Sequence, residues 1–574
     1  MAEQASTKGL AMSWLQRLLG AFRNKSEERL QFYEDQSWNF SPAERGVIPG
    51  APPSPSHPPH RRVLYALTSV LVSITGGLGN ALVVANLPYL QGSLGLDISE
   101  IAWLPTVYLI TSAMTGFVLI KYRQQFGIRS FCIVFLILYA SIVFAHLFVD
   151  SLASAIAVRA ASGISGSALT VLGVFYMNQA LPLKHRQRAV VLGIGLPQLA
   201  LPLARLFPVD VLAINNWRGI YLFELGLSLL ALAAVMFVRL PPNKRVNAFE
   251  KLDAVTFAFY ASSIALFGSA IGMGSYFWWT NKAWIGLFLA ISAPLMAIAI
   301  TIEYLRARPL IDVRWLSKFV LLRFALVTIV ARIVFSEQTI GAIGFLRNFG
   351  LTNDDIRPLS LAIFLAAIAG LAVGALAVGP TRLTPLVMMA VTLVGLGSFI
   401  DSFSSILTRA PELMVTQVLI AFAATVFIGP SFVFGLNEVL AEGGSKMASF
   451  IALFGITQSM GTLIGLAFVQ TAVLVRQQYH IDEFAAQLSE QYPLVSGEVT
   501  SFSNQYFAVL HDSTLRYAEG ISQLGRQALL QAQVAAYNDV FLLISGLAGF
   551  ATLFLMIVIA HGWLTSIRAR KVLQ

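Results

Sequence analysis

The sequence predicts an all-α integral membrane protein with about fourteen transmembrane helices, and composition and the length of the apolar runs both indicate this. Of the 574 residues, 56% are hydrophobic and only 12% are charged, whereas soluble domains carry about 25% charged residues. The apolar residues form runs of roughly 20 residues, the length that an α-helix needs to cross the hydrocarbon core. A water-soluble core requires neither so many apolar residues nor runs of this length.

Fourteen apolar runs are long enough to span a bilayer. The fifth is the least regular, because Pro197, Pro202 and Arg205 interrupt it. The runs lie at about residues 63–89, 100–120, 130–149, 152–180, 188–208, 217–239, 253–273, 283–303, 319–345, 358–379, 384–405, 412–437, 449–474 and 538–563.

The basic residues predict the orientation of these helices. Lys and Arg cluster in alternate connections, such as 121–129 and 239–251, whereas the connection 91–98 has none. Connections rich in Lys and Arg stay in the cytoplasm, so we expect both termini to be cytoplasmic in a multi-pass protein of the inner (plasma) membrane. The same clusters account for the net charge of +10. The partner that they indicate is therefore the lipid bilayer and not nucleic acid.

Hydrophilic segments flank and interrupt these runs. Residues 1–62 are predicted to be a cytoplasmic tail, in which Leu10–Phe32 is either a basic amphipathic helix on the inner leaflet or an unstructured stretch. Within this tail, the Pro-rich segment 49–59 is predicted to be an extended linker. Residues 475–537 lie on the outer side, as either a small cap that binds a partner or a solvated loop. Residues 564–574 are predicted to be a second cytoplasmic tail.

Motifs of enzymes are absent from the sequence. The seven histidines have no metal-binding spacing, and no glycine-rich loop ends in Lys-Ser or Lys-Thr, as a phosphate-binding loop would. We therefore expect no catalytic activity, no bound metal and no cofactor.

The order of several segments along the chain carries a family resemblance. The fourth run contains VRAASGISGSAL, with Arg159, Gly163 and Gly166 in an Arg-x-x-x-Gly-x-x-Gly pattern. The other segments are WRGIYLFELGLS (217–228), PLIDVRWLSKFVLLRFAL (309–326), SKMASFIALFGITQSMGTLIG (445–465) and QAQVAAYNDVFLL (531–543). Together they resemble the fourteen-span drug:proton antiporters of the EmrB/QacA type within the major facilitator superfamily.

This resemblance implies the major facilitator fold. Two six-helix bundles, 63–245 and 309–563, would enclose a midplane cavity that opens alternately to either side. Two additional helices, 246–308, would connect the bundles.

The sequence departs from the family pattern at four positions. Gly79 stands where the first span of the family has Asp, and Gln124 stands at an acidic position of the loop after the second span. Arg205 replaces a glycine of the fifth span, and Glu224 replaces an asparagine of the sixth span. The chain therefore resembles a divergent member of the family.

Five charged residues lie well inside predicted spans. An ionised side chain at membrane depth is costly unless it is paired or hydrated, so each such residue is a candidate for function. These residues are Arg159, Arg205, Glu224, Arg332 and Glu337. Charged residues near span ends are interpreted as reaching the interface; these are Glu303, Arg323, Asp401, Glu438 and Arg568.

Arg159 is the first candidate, and the resemblance implies a role in proton coupling or in the cavity. No acidic residue lies within one helical turn of it, so its partner must come from another helix; a purely structural ion pair is the alternative. Arg205 and Glu224 lie in consecutive antiparallel spans and could meet. A tight pair would hold Glu224 ionised as a structural lock, whereas a free buried carboxyl could exchange protons near neutrality.

Arg332 and Glu337 lie about 140° apart around one helix and are not expected to pair with each other. Glu337 is the second candidate for a proton carrier, and a pair with another helix is the alternative. Uncharged polar residues of the spans either line the cavity or form interhelical hydrogen bonds. These residues are Asn80, Asn86, Gln179, Gln198 and Gln458.

The function that the resemblance implies is export of amphipathic small molecules by proton antiport, powered by the proton motive force. In bacteria with two membranes, residues 475–537 could dock a periplasmic adaptor protein. Three alternatives are open: an uncoupled or differently coupled facilitator or importer of the same fold, a transporter-like sensor or partner that does not transport, and a membrane-embedded enzyme.

Overall fold

The computed structural model describes residues 32–33, 44, 50–207, 218–488 and 493–572, with only the backbone described at 32–33 and 562–572. Within these residues, fourteen helices are long and apolar enough to cross a membrane. We number them α1 (Pro59–Ala85), α2 (Ile98–Phe126), α3 (Ile128–His146), α4 (Leu152–Ala180), α5 (Leu183–Ala204), α6 (Arg218–Phe237), α7 (Lys251–Phe277), α8 (Ala283–Leu305), α9 (Phe319–Asn348), α10 (Arg357–Ala377), α11 (Leu383–Asp401), α12 (Met414–Ala441) and α13 (Met447–Gln487), and α14 (Ser513–Val572).

The helices pack as two halves. In the N-terminal half α4 packs against α1 and α2, and in the C-terminal half α12 packs against α10 and α11. The halves meet where α2 contacts α13 and where α5 contacts α12. Helices α7 and α8 pack mainly on each other, and α7 also contacts α2 and α13. This all-α arrangement of fourteen spans confirms the predicted fold class.

We call the end of the bundle at which α1 begins the proximal end, and the opposite end the distal end. The distal end is closed by hydrogen bonds between the halves. Arg347 Nη2 donates to the Ala85 carbonyl at 2.8 Å, and Asn353 Nδ2 donates to Asn86 Oδ1 at 2.9 Å. Asn86 and Asn353 are 1% and 2% exposed, so water does not compete for these bonds.

Ion pairs join three helices at the proximal end. Arg306 lies 2.8 Å from Asp253 and 2.7 Å from Glu303, and Lys121 lies 2.5 Å from Asp253. Glu303 is 3% exposed. The interpretation of Glu303 as a side chain that reaches the membrane interface is therefore wrong, because its carboxylate is buried in this network between α2, α7 and α8.

The segment before α1 packs into the proximal end instead of extending into solvent as a free linker. Residues 51–58 have no regular secondary structure, and 51–54 are buried. Gln179 Nε2 donates to the Pro53 carbonyl, and His57 Nε2 contacts Gln179 Oε1, both at 2.9 Å. Burial lowers the pKa of the His57 imidazole below its usual value, and the charges of Arg61 and Arg62 act in the same direction.

Only the end of the predicted amphipathic helix Leu10–Phe32 falls on described residues. Phe32–Tyr33 forms a short strand, β1, that pairs antiparallel with β2 (Arg245–Val246). The rest of that prediction, residues 10–31, lies outside the described residues.

The hydrophilic segment 475–537 is largely helical. Helix α13 continues to Gln487, a separate helix covers Pro493–Gln505, and α14 begins at Ser513. At 1.5 Å per residue the 41 residues of α13 extend about 60 Å, roughly twice the hydrocarbon thickness. Arg476 Nε and His480 Nε2 both contact Asp539, at 2.6 and 2.7 Å. We call residues 475–537 the distal extension.

Candidate functional site

A cavity of about 380 Å³ lies between the halves. Four of the predicted site residues line it: Gln179 on α4, Gln198 on α5, Arg332 on α9 and Gln458 on α13. Because Gln187 and Asn437 at proximal helix ends also line it, the cavity reaches from the middle of the bundle to the proximal end.

The segment before α1 forms part of the proximal wall of this cavity. Ala51, Pro52 and Ser54 line it, and the same stretch is anchored to Gln179 through Pro53 and His57. Gln179 is 3% exposed. Its amide is therefore engaged by the chain itself, although it borders the cavity.

Arg159 lies in the N-terminal half, toward the distal end, and is 1% exposed. Its Nη1 donates to the Gly79 carbonyl at 2.7 Å and its Nη2 donates to Asn80 Oδ1 at 2.6 Å. Its Nε is 3.4 Å from the Leu104 carbonyl, and its guanidinium lies over the Tyr108 ring at 4.8 Å. These partners come from α1 and α2, so Arg159 holds both helices against α4.

Glu224 belongs to the same buried cluster and is 2% exposed. Its Oε1 lies 2.7 Å from Tyr139 Oη, and Tyr139 Oη lies 2.8 Å from the Thr75 carbonyl. A tyrosine has one hydroxyl hydrogen and a carbonyl oxygen can only accept. Both contacts are complete hydrogen bonds only when the Glu224 carboxyl carries a proton and donates it to Tyr139. Glu224 Oε2 has no hydrogen-bond partner among the described residues.

Gly79 connects Arg159 and Glu224. A Cβ placed on Gly79 would lie 2.9 Å from Glu224 Oε1 and closer still to Tyr139 Oη. The Glu224 carboxyl therefore occupies the space beside α1 into which a side chain at position 79 would project. Glycine at 79 and glutamate at 224, two of the four departures named above, are complementary in space. We call Gly79, Asn80, Tyr139, Arg159 and Glu224 the N-half cluster.

The predicted meeting of Arg205 with Glu224 does not occur. Arg205 is 3% exposed, and its Nε has no hydrogen-bond partner among the described residues. The charged side chain that acts on Arg205 electrostatically is another cation, Arg347. Arg205 immediately follows the last residue of α5, whereas Glu224 faces α1 and α3, so the two side chains point to different neighbours.

Asn80 and Asn86 do not line this cavity. Asn80 accepts from Arg159, and Asn86 takes part in the distal closure by accepting from Asn353. For Asn80 the alternative interpretation, a hydrogen bond between helices, describes the contact. For Asn86 the partner, Asn353, lies in the connection between α9 and α10. Arg159, Arg205, Glu224 and Glu337 are buried and likewise do not line this cavity.

Glu337 lies in the C-terminal half beside a residue that sequence analysis discounted. Glu337 and Asp401 are 0% and 2% exposed. Gln417 Nε2 lies 3.1 Å from Glu337 Oε1 and 2.9 Å from Asp401 Oδ2. One amide nitrogen therefore bridges the two buried carboxyls, and ionisation of both at this separation is disfavoured by repulsion. We call Glu337 and Asp401 the C-half carboxyl pair.

The local backbone explains how Glu337 reaches Asp401. Residues 337–342 form a π-helical turn within α9, and such turns are frequent at functional sites. Asp401 is the last residue of α11, as its position near a predicted span end indicates. Its side chain is nevertheless buried and contacts Gln417, so the interpretation that it reaches the membrane interface is wrong. The sequence did contain an indication that Asp401 is buried, because it lies inside the predicted span 384–405.

Arg332 borders the cavity and does not pair with Glu337, as the helical geometry predicts. Its Nε donates to Gln458 Oε1 at 2.5 Å, and its Nη2 contacts the same oxygen. Sequence analysis missed two further arginines of the cavity wall, Arg123 and Arg186. Both were assigned to connections, because the runs at 100–120 and 188–208 exclude them, yet α2 continues to Phe126 and α5 begins at Leu183.

Fourteen membrane-spanning helices in two halves around a central cavity, with charged residues buried at membrane depth, define a multi-pass membrane transporter. A model of the Major Facilitator Superfamily matches residues 69–466, and the chain belongs to this superfamily. Comparison with curated proteins finds no match.

Among solved structures, the chain is similar to tetrameric PepTSo2, with 12% identity, a TM-score of 0.53, and coverage of 88% of this chain and 99% of that chain. It is also similar to the human organic anion transporter MFSD10 (TETRAN), with 13% identity, a TM-score of 0.49, and coverage of 86% and 100%. A third is the proton:xylose symporter XylE, with 12% identity, a TM-score of 0.45, and coverage of 85% and 94%. At these identities the likeness concerns the fold alone.

Proposed function

We propose that this protein is a secondary active transporter that exports amphipathic small molecules across the inner membrane in exchange for protons. The observation that carries the proposal is the buried Glu224 carboxyl, which completes its hydrogen bonds with Tyr139 when it is protonated. Its neighbour Arg159 is held by Gly79 and Asn80. A protonatable acid next to a fixed cation is what a proton-coupled carrier requires.

The conformation fits one step of an antiport cycle. The distal end is closed by Arg347 and Asn353, while the cavity reaches the proximal end. The basic connections lead us to assign the proximal end to the cytoplasm in this proposal. A proton that Glu224 took up from the outer side would be held here until substrate enters from the cytoplasm. The C-half carboxyl pair, Glu337 and Asp401, is the second candidate for proton binding in this cycle.

Inverted membrane vesicles energised by respiration provide the test. We expect substrate accumulation that a protonophore abolishes, and partial collapse of the pH gradient when substrate is added. Flux that persists unchanged with the protonophore would instead support a facilitator of the same fold. Absence of flux for both cationic and anionic amphiphiles would support a transporter-like protein that does not transport.

We further propose that the distal extension docks a periplasmic adaptor protein. Large apolar side chains at its tip are exposed: Leu494 by 88%, Val509 by 77% and Phe507 by 65%. Such residues clustered on a solvent-facing surface are typical of interaction sites. These residues lie between α13 and α14, beyond the apolar spans of both helices.

A photocrosslinking amino acid at Leu494 tests this docking in native membranes. We expect a covalent adduct with a second protein when position 494 is illuminated. The matched control is position 229 on α6, where Leu229 is 50% exposed within a membrane span. A lack of adduct at 494, or equal adducts at both positions, would refute the docking proposal.

A further inference from the structure

The charged side chains that line the cavity between the halves are all positive. Three arginines line it: Arg123 on α2, Arg186 on α5 and Arg332 on α9. No aspartate or glutamate is among the described residues of its wall. The remaining lining residues are apolar or uncharged, so the walls cannot neutralise the three cations.

Arg123 is the most deeply buried of the three, at 2% exposure. Its guanidinium lies over the Phe175 ring at 4.5 Å. Its Nε and Nη1 atoms are buried and have no hydrogen-bond partner among the described residues. Buried donors without an acceptor are uncommon because they forfeit their hydration, so such a group indicates a missing partner.

Arg332 is similarly under-satisfied. Its Nε and Nη2 both donate to a single acceptor atom, Gln458 Oε1, although a guanidinium offers five N–H donors. Gln458 Nε2 is itself buried without a partner. The carbonyl oxygen of Gln458 is therefore already engaged by Arg332, and both residues line the cavity.

A negatively charged group in the cavity would supply the acceptor that these arginines lack. Guanidinium groups bind carboxylates, sulfonates and phosphates through charge-assisted hydrogen bonds. The rest of the wall, with Phe175, Val190, Ile428 and Phe432, suits an apolar body. We propose that the transported substrate is an amphipathic organic anion, whose acidic group binds among Arg123, Arg186 and Arg332 while its apolar part packs against this wall.

This inference rests on the proposed transport function and adds the sign of the substrate charge to it. Export of an anion in exchange for an entering proton moves two positive charges inward per cycle at a one-to-one ratio. The membrane potential would then drive the exchange together with the pH gradient.

The test is binding of two probes that share one ring system and differ in charge. Naphthalene-1-sulfonate and trimethyl(1-naphthyl)ammonium are titrated by calorimetry into the full chain in lipid nanodiscs. We expect the sulfonate to bind roughly tenfold or more tightly than the ammonium probe. Arg332→Gln and Arg123→Gln should each weaken sulfonate binding roughly tenfold without weakening the ammonium probe.

Arg188→Gln is the matched control, because Arg188 lies on α5 two residues from Arg186 but does not line the cavity; we expect no change. Tighter binding of the ammonium probe, or equal loss of both probes in the Gln variants, overturns the anion assignment. If the variants fail to fold, the anion assignment is decided by the wild-type protein alone, from the ratio of its affinities for the sulfonate and the ammonium probe. Sulfonate binding without proton-coupled flux would refute the proposed antiport and leave the anion site standing.

Discussion

Replacing Glu224 with glutamine is expected to reduce proton-driven substrate accumulation to the level of vesicles without the transporter, while exchange of substrate across the membrane continues. Glutamine is nearly isosteric with a protonated glutamic acid and its amide can donate to Tyr139 Oη, so the contacts with Tyr139 and Thr75 are kept. The amide cannot release a proton. The measurement is energised uptake compared with counterflow of labelled substrate in the same vesicles.

The control for this substitution is Glu498→Gln, which makes the same chemical change at an exposed position of the distal extension; uptake should be unaffected. Glu337→Gln should be measured together with Glu224→Gln. Because the C-half carboxyl pair still contains Asp401 in this variant, we expect part of the proton-driven uptake to remain. Normal coupled uptake by a well-expressed Glu224→Gln variant would remove this carboxyl from the mechanism. If Glu337→Gln abolishes proton-driven uptake and Glu224→Gln leaves it normal, the C-half carboxyl pair and not Glu224 couples transport to protons.

Substitution of Arg159 by lysine is expected to lower the transport rate by roughly 10- to 100-fold although the charge is conserved. The guanidinium bridges Gly79 O and Asn80 Oδ1 on α1 and approaches Leu104 O on α2. A lysine ammonium is compact and cannot reproduce this planar arrangement. Each charge-assisted bond lost costs about 1.5–3 kcal/mol. Transport in proteoliposomes and the midpoint of thermal unfolding should be measured together.

Arg323→Lys is the matched control, because Arg323 lies near the proximal start of α9 and outside the N-half cluster. We expect it to transport at the wild-type rate. A normal transport rate for Arg159→Lys would contradict the role of the planar guanidinium. A loss of thermal stability equal to that of Arg159→Gln, with transport lost in proportion, would indicate a purely structural residue.

Hydropathy predicts the number of spans and the depth of a charged residue, since both depend on position along the chain. It placed Arg159 and Glu224 inside spans and required Arg159 to find partners on other helices, as observed. The resemblance identifies Gly79 and Glu224 as two separate departures from the family pattern. That the Glu224 carboxyl lies beside the Gly79 backbone is visible only in three dimensions.

The direction in which a side chain points around its helix axis could not be predicted in the same way. Arg205 and Glu224 were matched by depth, but their helices turn them toward different neighbours. Asp401 and Arg123 were misplaced for a related reason. Each lies within a few residues of a helix end, where span boundaries are least certain, and whether such a side chain faces lipid, solvent or the core depends on packing that a single sequence does not encode.

The continuous helix α14 gives the distal extension a mechanical link to the opposite side of the bilayer. Its 60 residues form one rod of about 90 Å, which begins outside the membrane and packs against α11 and α13 within it. For a stiff rod that pivots at its middle, a tilt of about 5° displaces either end by roughly 4 Å. A change of tilt at the distal end of this helix is therefore accompanied by a displacement of its proximal end.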